Sequence, residues 1–204
     1  QNCKNGIINS EGALNVYKSK IRMKNIIFKN NTSGDDGLNF INSEFKLRNI
    51  KLENILSDGI DLDYSVGVIE DLNCTKCGND GIDLSNTTLK LTQYTSSNTG
   101  DKSISVGENS ILEAKGINID NTKIGVAVKD GSIANLKNLN ISSSEYPIAV
   151  YIKKQDFGLG NINIKNLILK NNLNPLILEE GSIFNFDNNY PIQIKKNVFT
   201  KIYP

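Results

Sequence analysis

Acidic and amide side chains recur along this chain at a fixed interval of twenty-two residues. One position of the repeat directly precedes a glycine in three successive turns and holds Asp36, Asp58, Asp80 and then Lys102. A second position, three residues later, holds Asn39, Asp61 and Asp83, with Asp63 close by. Oxygen-rich clusters of this kind are typical ligands of Ca²⁺. The pattern therefore predicts a cation site at Asp36, Asp58, Asp80, Asp61 and Asp83.

A lysine beside bound Ca²⁺ has a specific chemical use. The cation lowers the pKa of the ring proton of a bound uronate sugar, and a neighbouring amine removes that proton. Lys102 is the candidate base for such a β-elimination.

The Asp-Gly dipeptides also have a purely structural interpretation. Asp bonds to the backbone of a turn and Gly accepts a positive φ, so a repeated turn repeats the Asp without any function. This alternative applies to Asp36, Asp58 and Asp80. It is weaker for Asp61, Asp63 and Asp83, which are predicted to point outward from a strand.

Two apolar columns flank the second acidic position. The first holds Leu38, Ile60, Ile82, Ile104, Val126 and Ile148, and the second holds Phe40, Leu62, Leu84, Val106, Val128 and Val150. Apolar positions that alternate with polar ones indicate a strand with one face buried.

The length of the repeat selects the fold class. Twenty-two residues are too few for a strand–helix–strand unit, which needs about thirty. They suit a coil of two or three short strands, each paired in parallel with the next coil at about 4.8 Å. We therefore predict an all-β, single-stranded, right-handed parallel β-helix with about 22 residues per coil and a C-terminal cap.

Two further columns are expected at the turns. Asn25, Asn49, Asp71, Asn138 and Asn166 occupy one of them. Ser43, Ser65, Thr87, Asn109 and Gly131 are predicted to share a corner. Small hydroxyl and amide residues suit such turns because they bond to nearby backbone groups.

The pattern predicts one domain, residues 1–204, with the first coils in 1–33 and regular coils in 34–150. A six-residue insertion predicts a loop at 151–160, and the aromatic-rich segment 175–204 predicts a last coil and cap. The N-terminal end has no comparable cap, which suggests either an upstream domain of a larger polypeptide or a partner that covers this end. Lys153 and Lys154 in the loop, with Tyr64 beside the acidic face, are further candidates for contact with a substrate.

Composition narrows the classes of partner. With 23 basic and 22 acidic residues the net charge is +1, which argues against a nucleic-acid binder held by counterion release. No stretch reaches the roughly 20 apolar residues of a membrane helix. Cys74 and Cys77 form one C-x-x-C, which could be a structural thiol pair, a disulfide, a redox pair or half a zinc site. The absence of His and of a second pair disfavours zinc.

The segments GDDGLNF, SDGIDLD and GNDGIDL resemble the repeats of right-handed parallel β-helix proteins of the pectate-lyase-like superfamily. GDKSISVGE, GVAVKDGS and AVYIKK resemble uncharacterised bacterial β-helix domains that are sometimes attached to CotH-like proteins. The resemblance implies a bacterial protein that is secreted or at the cell surface. The polygalacturonase pattern needs paired aspartates, Gly-His-Gly and Arg-x-Lys, and only Asp35-Asp36 resembles it here, so that activity is disfavoured.

Two functional hypotheses follow. The first is a carbohydrate-associated domain that binds a polysaccharide along Asn39, Asp61, Asp63 and Asp83, with Ca²⁺ and lyase chemistry as its catalytic version. The second is a structural or adhesive spacer of a larger bacterial surface protein, whose partner is a cell-surface component. A concave acidic face favours the first and a flat face favours the second. Side-by-side or trimeric assembly is compatible with both.

Overall fold

The computed structural model describes residues 4–5, 8–9, 12–187 and 189–204. It is an all-β parallel solenoid of about eight turns, with coils about 22 residues apart. This architecture confirms the predicted fold class. Short β1 and β2 form an antiparallel pair, and the other strands join one continuous parallel network.

The strands follow one another with short turns between them. Their bounds are β1 Lys4–Asn5, β2 Ile8–Asn9, β3 Leu14–Tyr17, β4 Lys20–Asn31, β5 Leu38–Ile41, β6 Glu44–Ile55, β7 Ile60–Asp63, β8 Val66–Cys77, β9 Ile82–Ser85, β10 Thr88–Gly107, β11 Ile111–Lys129, β12 Ile133–Ser142, β13 Tyr146–Tyr151, β14 Asn161–Lys170, β15 Leu176–Glu179, β16 Ile183–Phe186 and β17 Ile192–Lys195. A short helix, α1, spans Val198–Ile202.

The network wraps into three faces, because the long strands bend. Face 1 contains β3, β5, β7, β9, the last residues of β10 and β11, and then β13, β15 and β17. Face 2 contains the first five residues of β4, β6, β8, β10, β11, β12 and β14, together with β16. Face 3 contains the later residues of those long strands.

The bends lie at residues with positive φ that stack from coil to coil. The corner between faces 2 and 3 holds Asn25, Asn49, Asp71, Gln93, Gly116, Asn138 and Asn166, all with φ between +51° and +73°. Asn, Asp and Gly tolerate this conformation better than other residues. The Asn49 amide donates to Asn25 Oδ1 at 2.9 Å, and the Asn166 amide donates to Asn138 Oδ1 at 2.7 Å. The predicted asparagine column is confirmed.

The predicted serine corner is correct only in its first half. The backbone N–H of Ser43 donates to Ser65 Oγ at 3.0 Å, and that of Ser65 donates to Thr87 Oγ1 at 3.0 Å. The ladder then continues through Ser110 and Ser132, at 3.0 and 3.1 Å, rather than through Asn109 and Gly131. One extra residue in this turn shifts the register, since Thr88 pairs with Ile111, twenty-three residues on.

The core lies inside the coil. Every residue of the two predicted apolar columns is buried. Cys74 and Cys77 are also buried there and form a disulfide. Cys3 lies outside the described residues.

The C-terminal segment extends the stack and also turns back over it. Phe186, Tyr190 and Ile192 pack against the end of the core. Helix α1, in contrast, lies outside the coil on face 1, where Val198 and Ile202 join a cluster with Ala127, Ala149 and Ile177. Composition predicted a cap but not this helix. None of the described residues belongs to a helix with the length and apolar character that a membrane crossing requires.

Candidate functional site

The candidate site lies on the outer side of face 1. Asn39, Asp61, Asp83 and Ser105 point outward there from β5, β7, β9 and β10, and each is in register with the next. We call these four residues the polar column. Strands in a sheet are about 4.8 Å apart, so the four side chains form a continuous line across four coils.

Three members of the polar column have buried polar atoms without a hydrogen-bond partner among the described residues. These atoms are Asn39 Oδ1, Asp83 Oδ1 and Ser105 Oγ. Asn39 is 3% exposed and Ser105 is fully buried. A buried polar group without a partner is costly, and most such groups in native proteins are paired with protein or water. The three atoms lie in one column of face 1, and Asp83 in that column is partly exposed.

Among the carboxyl groups of this face, Asp61 has the most strongly shifted pKa. Burial and, to a lesser extent, the neighbouring carboxylates of Asp63 and Asp83 together raise its pKa to about 9. At neutral pH Asp61 is therefore a protonated acid and a hydrogen-bond donor.

Asp83, on the next coil, has a cation beside it. Lys129 Nζ lies 3.8 Å from Asp83 Oδ1, and the Lys129 side chain is largely buried. The side chain passes over Gly107, where an added Cβ would lie 3.0 Å from Lys129 Nζ. Face 1 thus places a neutral carboxyl and an ion-paired carboxylate on adjacent coils.

Asp58 and Asp80, two of the predicted metal ligands, accept hydrogen bonds from groups in the turns. Asp58 Oδ1 accepts from the Asp80 N–H at 2.8 Å and from the Asn79 amide at 2.7 Å. Asp80 Oδ1 accepts from the Lys102 N–H at 3.0 Å. Burial raises the pKa of Asp58 to about 6 and also raises that of Asp80. These bonds link successive turns, as the structural interpretation of the Asp-Gly pattern requires.

The positive φ expected of the glycines is wrong, because the described glycines with positive φ are Gly116, Gly131 and Gly181. Gly37, Gly59 and Gly81 instead provide space, since an added Cβ would lie 2.7, 2.6 and 2.5 Å from a carbonyl oxygen of the next coil.

Asp36 is buried at the corresponding corner one coil earlier. Among the described residues, no group of three or more Asp, Glu, Cys or His side chains is arranged to hold a metal ion.

Lys102, the candidate base, lies in a double ion pair. Its Nζ is 3.0 Å from Asp80 Oδ1 and also contacts Asp101. Burial acts to lower the pKa of Lys102, but the carboxylates of Asp80 and Asp101 outweigh it and the pKa is raised. Because a general base must be unprotonated, these surroundings oppose that role.

The same network fastens the C-terminus to face 1. The hydroxyl of Tyr203 donates to Asp101 Oδ1 at 2.7 Å. The centroid of the Tyr203 ring lies 3.9 Å from Lys123 Nζ and 5.9 Å from Lys102 Nζ. Tyr203, directly after α1, is therefore connected to Asp101 and Lys102, which precede Ser105 in β10.

The remaining substrate candidates lie at the opposite edge of face 1. Tyr64 is exposed at a corner with φ +49°. The backbone N–H groups of Lys153 and Lys154 donate to Asp130 Oδ1 at 2.7 and 2.8 Å, which anchors the loop. The Lys154 ammonium pairs with Glu108, an interaction that raises the pKa of Lys154.

Sequence reasoning did not select Ser105 or Tyr203 as site residues. Ser105 follows Asp83 by twenty-two residues, so the repeat itself was the available signal. Tyr203 bonds to a residue 102 positions away, and no local pattern indicates that contact.

Comparisons with known proteins give a likeness of fold. No family model matches the chain, and no curated protein matches it. Among solved structures, it is similar to the catalytic domain of a GH87 α-1,3-glucanase in complex with nigerose, at 13% identity and a TM-score of 0.36. The match covers 86% of this chain and 48% of that one, so the chain spans about half the length of the solved structure. A variant of the same domain matches at 12% identity and a TM-score of 0.34.

Proposed function

We propose that this chain is a carbohydrate-binding β-helix domain that holds a polysaccharide along the polar column of face 1. One observation carries the proposal: the column is a continuous line of polar side chains in which Asp61 and Asp83 are partly exposed, and three of its atoms, Asn39 Oδ1, Asp83 Oδ1 and Ser105 Oγ, have no hydrogen-bond partner among the described residues. Sugars present hydroxyl groups in regular succession, and each can donate to an acceptor of this kind. Asp61, as a protonated acid, supplies a donor in the same line.

The proposal is for binding rather than for cleavage. Asp61 and Asp83 are a pair of carboxyl groups in different electrostatic states, a combination on which acid–base chemistry can operate. The lyase hypothesis, however, requires neutral Lys102, and the ion pairs with Asp80 and Asp101 oppose it. Ca²⁺ binding remains a prediction, and it is tested by comparing thermal unfolding in Ca²⁺ with unfolding in EDTA.

A location outside the cytosol is part of the proposal. Disulfides persist mainly in oxidising compartments, and the Cys74–Cys77 bridge supports such a location. Polysaccharides of the cell surface or its surroundings are the partners available there.

Affinity electrophoresis through gels that contain soluble neutral or acidic polysaccharides tests the proposal. We expect the wild-type protein to be retarded by at least one polymer. Asn39→Ala should reduce the retardation, because a hydrogen bond of about 0.5–1.5 kcal/mol is lost. The matched control is Asn118→Ala, which removes an exposed face 3 amide.

The spacer hypothesis makes the opposite prediction for the same gels. If no polysaccharide retards the wild-type protein, the spacer interpretation replaces carbohydrate binding. If Asn39→Ala and Asn118→Ala behave alike, the binding surface is not the polar column.

A further inference from the structure

Face 2 has a charge pattern quite different from that of face 1. Its outward basic residues are Lys20, Arg22, Lys24, Lys46, Arg48, Lys90, Lys115, Lys137 and Lys165. The acidic residues on this side are Glu44, Glu70, Glu113 and Asp187. Basic groups clearly outnumber acidic ones on face 2, although the whole chain is nearly balanced at +1.

Three of these lysines form a vertical ladder. Lys115 pairs in register with Lys137, and Lys137 pairs with Lys165. Like charges on adjacent strands repel, by about 1 kcal/mol at 4 Å in water. In the N-terminal half of face 2, Lys46 and Arg48 both lie near Glu70, at 2.9 and 3.8 Å. No carboxylate within the described residues forms an ion pair with Lys115, Lys137 or Lys165, so an external anion would relieve their repulsion.

The ladder lies in a depression of the surface. The depression has a volume of about 690 Å³ and is lined by four basic residues, two acidic residues and several amides: Lys90, Lys115, Lys137, Lys165, Glu113, Asp187, Asn135, Asn163 and Asn185. Asn163 donates to Asn135 Oδ1 at 2.9 Å, and Asn135 donates to Glu113 Oε1 at 2.7 Å. The concave part of face 2 therefore combines a line of positive charges with a line of amides, both running along the solenoid axis.

We infer that this depression, the face 2 groove, binds an extended anionic polysaccharide, a glycan chain carrying carboxylate or sulfate groups. The lysine ammonium groups form ion pairs with the repeated anionic groups, and the asparagine amides form hydrogen bonds with the hydroxyl groups between them. This surface is separate from the polar column and does not depend on the function proposed for face 1.

Single-stranded nucleic acid is the competing polyanion. Proteins that bind it without sequence preference stack its bases on aromatic side chains. Within the part of the chain that the structure describes, no aromatic side chain lines the face 2 groove. The amides and the absence of stacking platforms favour a glycan.

The test measures the affinity of the intact chain for heparin, polygalacturonate, neutral dextran and oligo(dT). The probe variant is Lys137→Glu with Lys165→Glu. The control variant is Lys51→Glu with Lys170→Glu, which makes the same change in net charge at exposed positions of face 3. Heparin and polygalacturonate distinguish sulfate from carboxylate recognition.

We expect the wild-type protein to bind at least one of the two anionic glycans, and to bind dextran weakly or not at all. The probe variant should lose tenfold or more in affinity, whereas the control variant should stay within about twofold of the wild type. The single variant Lys137→Glu should also unfold at an unchanged or higher temperature, because it places an opposite charge between Lys115 and Lys165.

Three results would overturn the inference. The first is that neither anionic glycan binds. The second is an equal loss in both variants, which would mean that only net charge matters. The third is tighter binding of oligo(dT) than of either glycan with the same sensitivity to the probe variant, which would assign the groove to nucleic acid. Asn39→Ala, on face 1, should leave heparin and polygalacturonate binding at the groove unchanged.

Discussion

At the scale of single residues, the protein places its polar groups in two different ways. The carboxylates of Asp58 and Asp80 accept hydrogen bonds from backbone N–H groups of the next coil, and these bonds hold the coils together. Asn39, Asp83 and Ser105 have buried atoms without such bonds among the described residues. The first arrangement contributes stability, and the second reduces it, because the described residues do not supply the missing hydrogen bonds.

The state of Asp61 can be tested through the pH dependence of stability. Its pKa is about 9 in the folded protein and 3.8 ordinarily, so between these values the folded state binds more protons than the unfolded state. Stability should therefore fall as pH rises through this window, by up to about 1.4 kcal/mol per pH unit for one group. Urea unfolding at several pH values between about 5 and 9 measures the slope.

Asp61→Asn serves as the comparison because it removes the titrating group and retains the shape. Its stability should depend less on pH than that of the wild type over the same window. A wild-type protein that becomes more stable as pH rises, or a variant with an identical slope, would contradict the assigned state of Asp61.

At the same scale, the repeat predicts which residues are neighbours on adjacent coils, but it does not predict how buried they are or which charged groups pair with them. The repeat alone predicted that Asp61 and Asp83 are neighbours, because parallel coils place equivalent positions side by side. It could not predict that Lys102 is paired with Asp101 as well as Asp80, since Tyr203 and α1 assemble that network from the far end of the chain. Burial and pairing depend on which distant segment covers a face.

At the scale of elements, glycines allow large core side chains to stack in neighbouring coils. An added Cβ at Gly81 would lie 2.2 Å from Tyr94 Oη and 2.5 Å from the Ser103 carbonyl oxygen. Tyr94 is fully buried, and its hydroxyl donates to that carbonyl at 3.0 Å. The repeated glycine therefore makes space for the core, in addition to its part in the turn.

Gly81→Ala should lower stability by about 1–3 kcal/mol, because an overpacked core must shift to accept the methyl group. Thermal unfolding monitored by circular dichroism measures the change. Gly158→Ala is the control, since nothing lies within 4 Å of the added atom. Equal unfolding temperatures for the two variants would show that Gly81 does not have this spatial role.

The repeat predicts the strands but not the helix. Strand positions repeat at a fixed interval, whereas α1 is five residues long and occurs once. An indirect signal was present, because the outward column changes from Asp83 to Ser105, Ala127 and Ala149. Small apolar outward residues indicate that another element covers them, and α1 with Val198 and Ile202 is that element.

At the scale of the whole molecule, the solenoid has two surfaces of different chemical character. Face 1 carries the polar column, followed in later coils by the residues that α1 covers, and face 2 carries a basic groove. Both run along the solenoid axis, because equivalent positions stack from coil to coil. The separation explains how a chain with a net charge of +1 can contain a strongly basic surface.

The central claim is that the polar column on face 1 is a carbohydrate-binding surface. Its most direct test compares affinity and stability for Ser105→Ala and Ser110→Ala, using the polysaccharide that retards the wild-type protein most strongly. Ser105 Oγ is buried without a partner, whereas Ser110 Oγ accepts from the Thr87 N–H in the corner ladder. We predict that Ser105→Ala binds several-fold more weakly and unfolds at an unchanged or higher temperature, while Ser110→Ala is less stable and binds normally. Wild-type affinity in Ser105→Ala, or the absence of any polysaccharide that binds the wild-type protein, would contradict the claim.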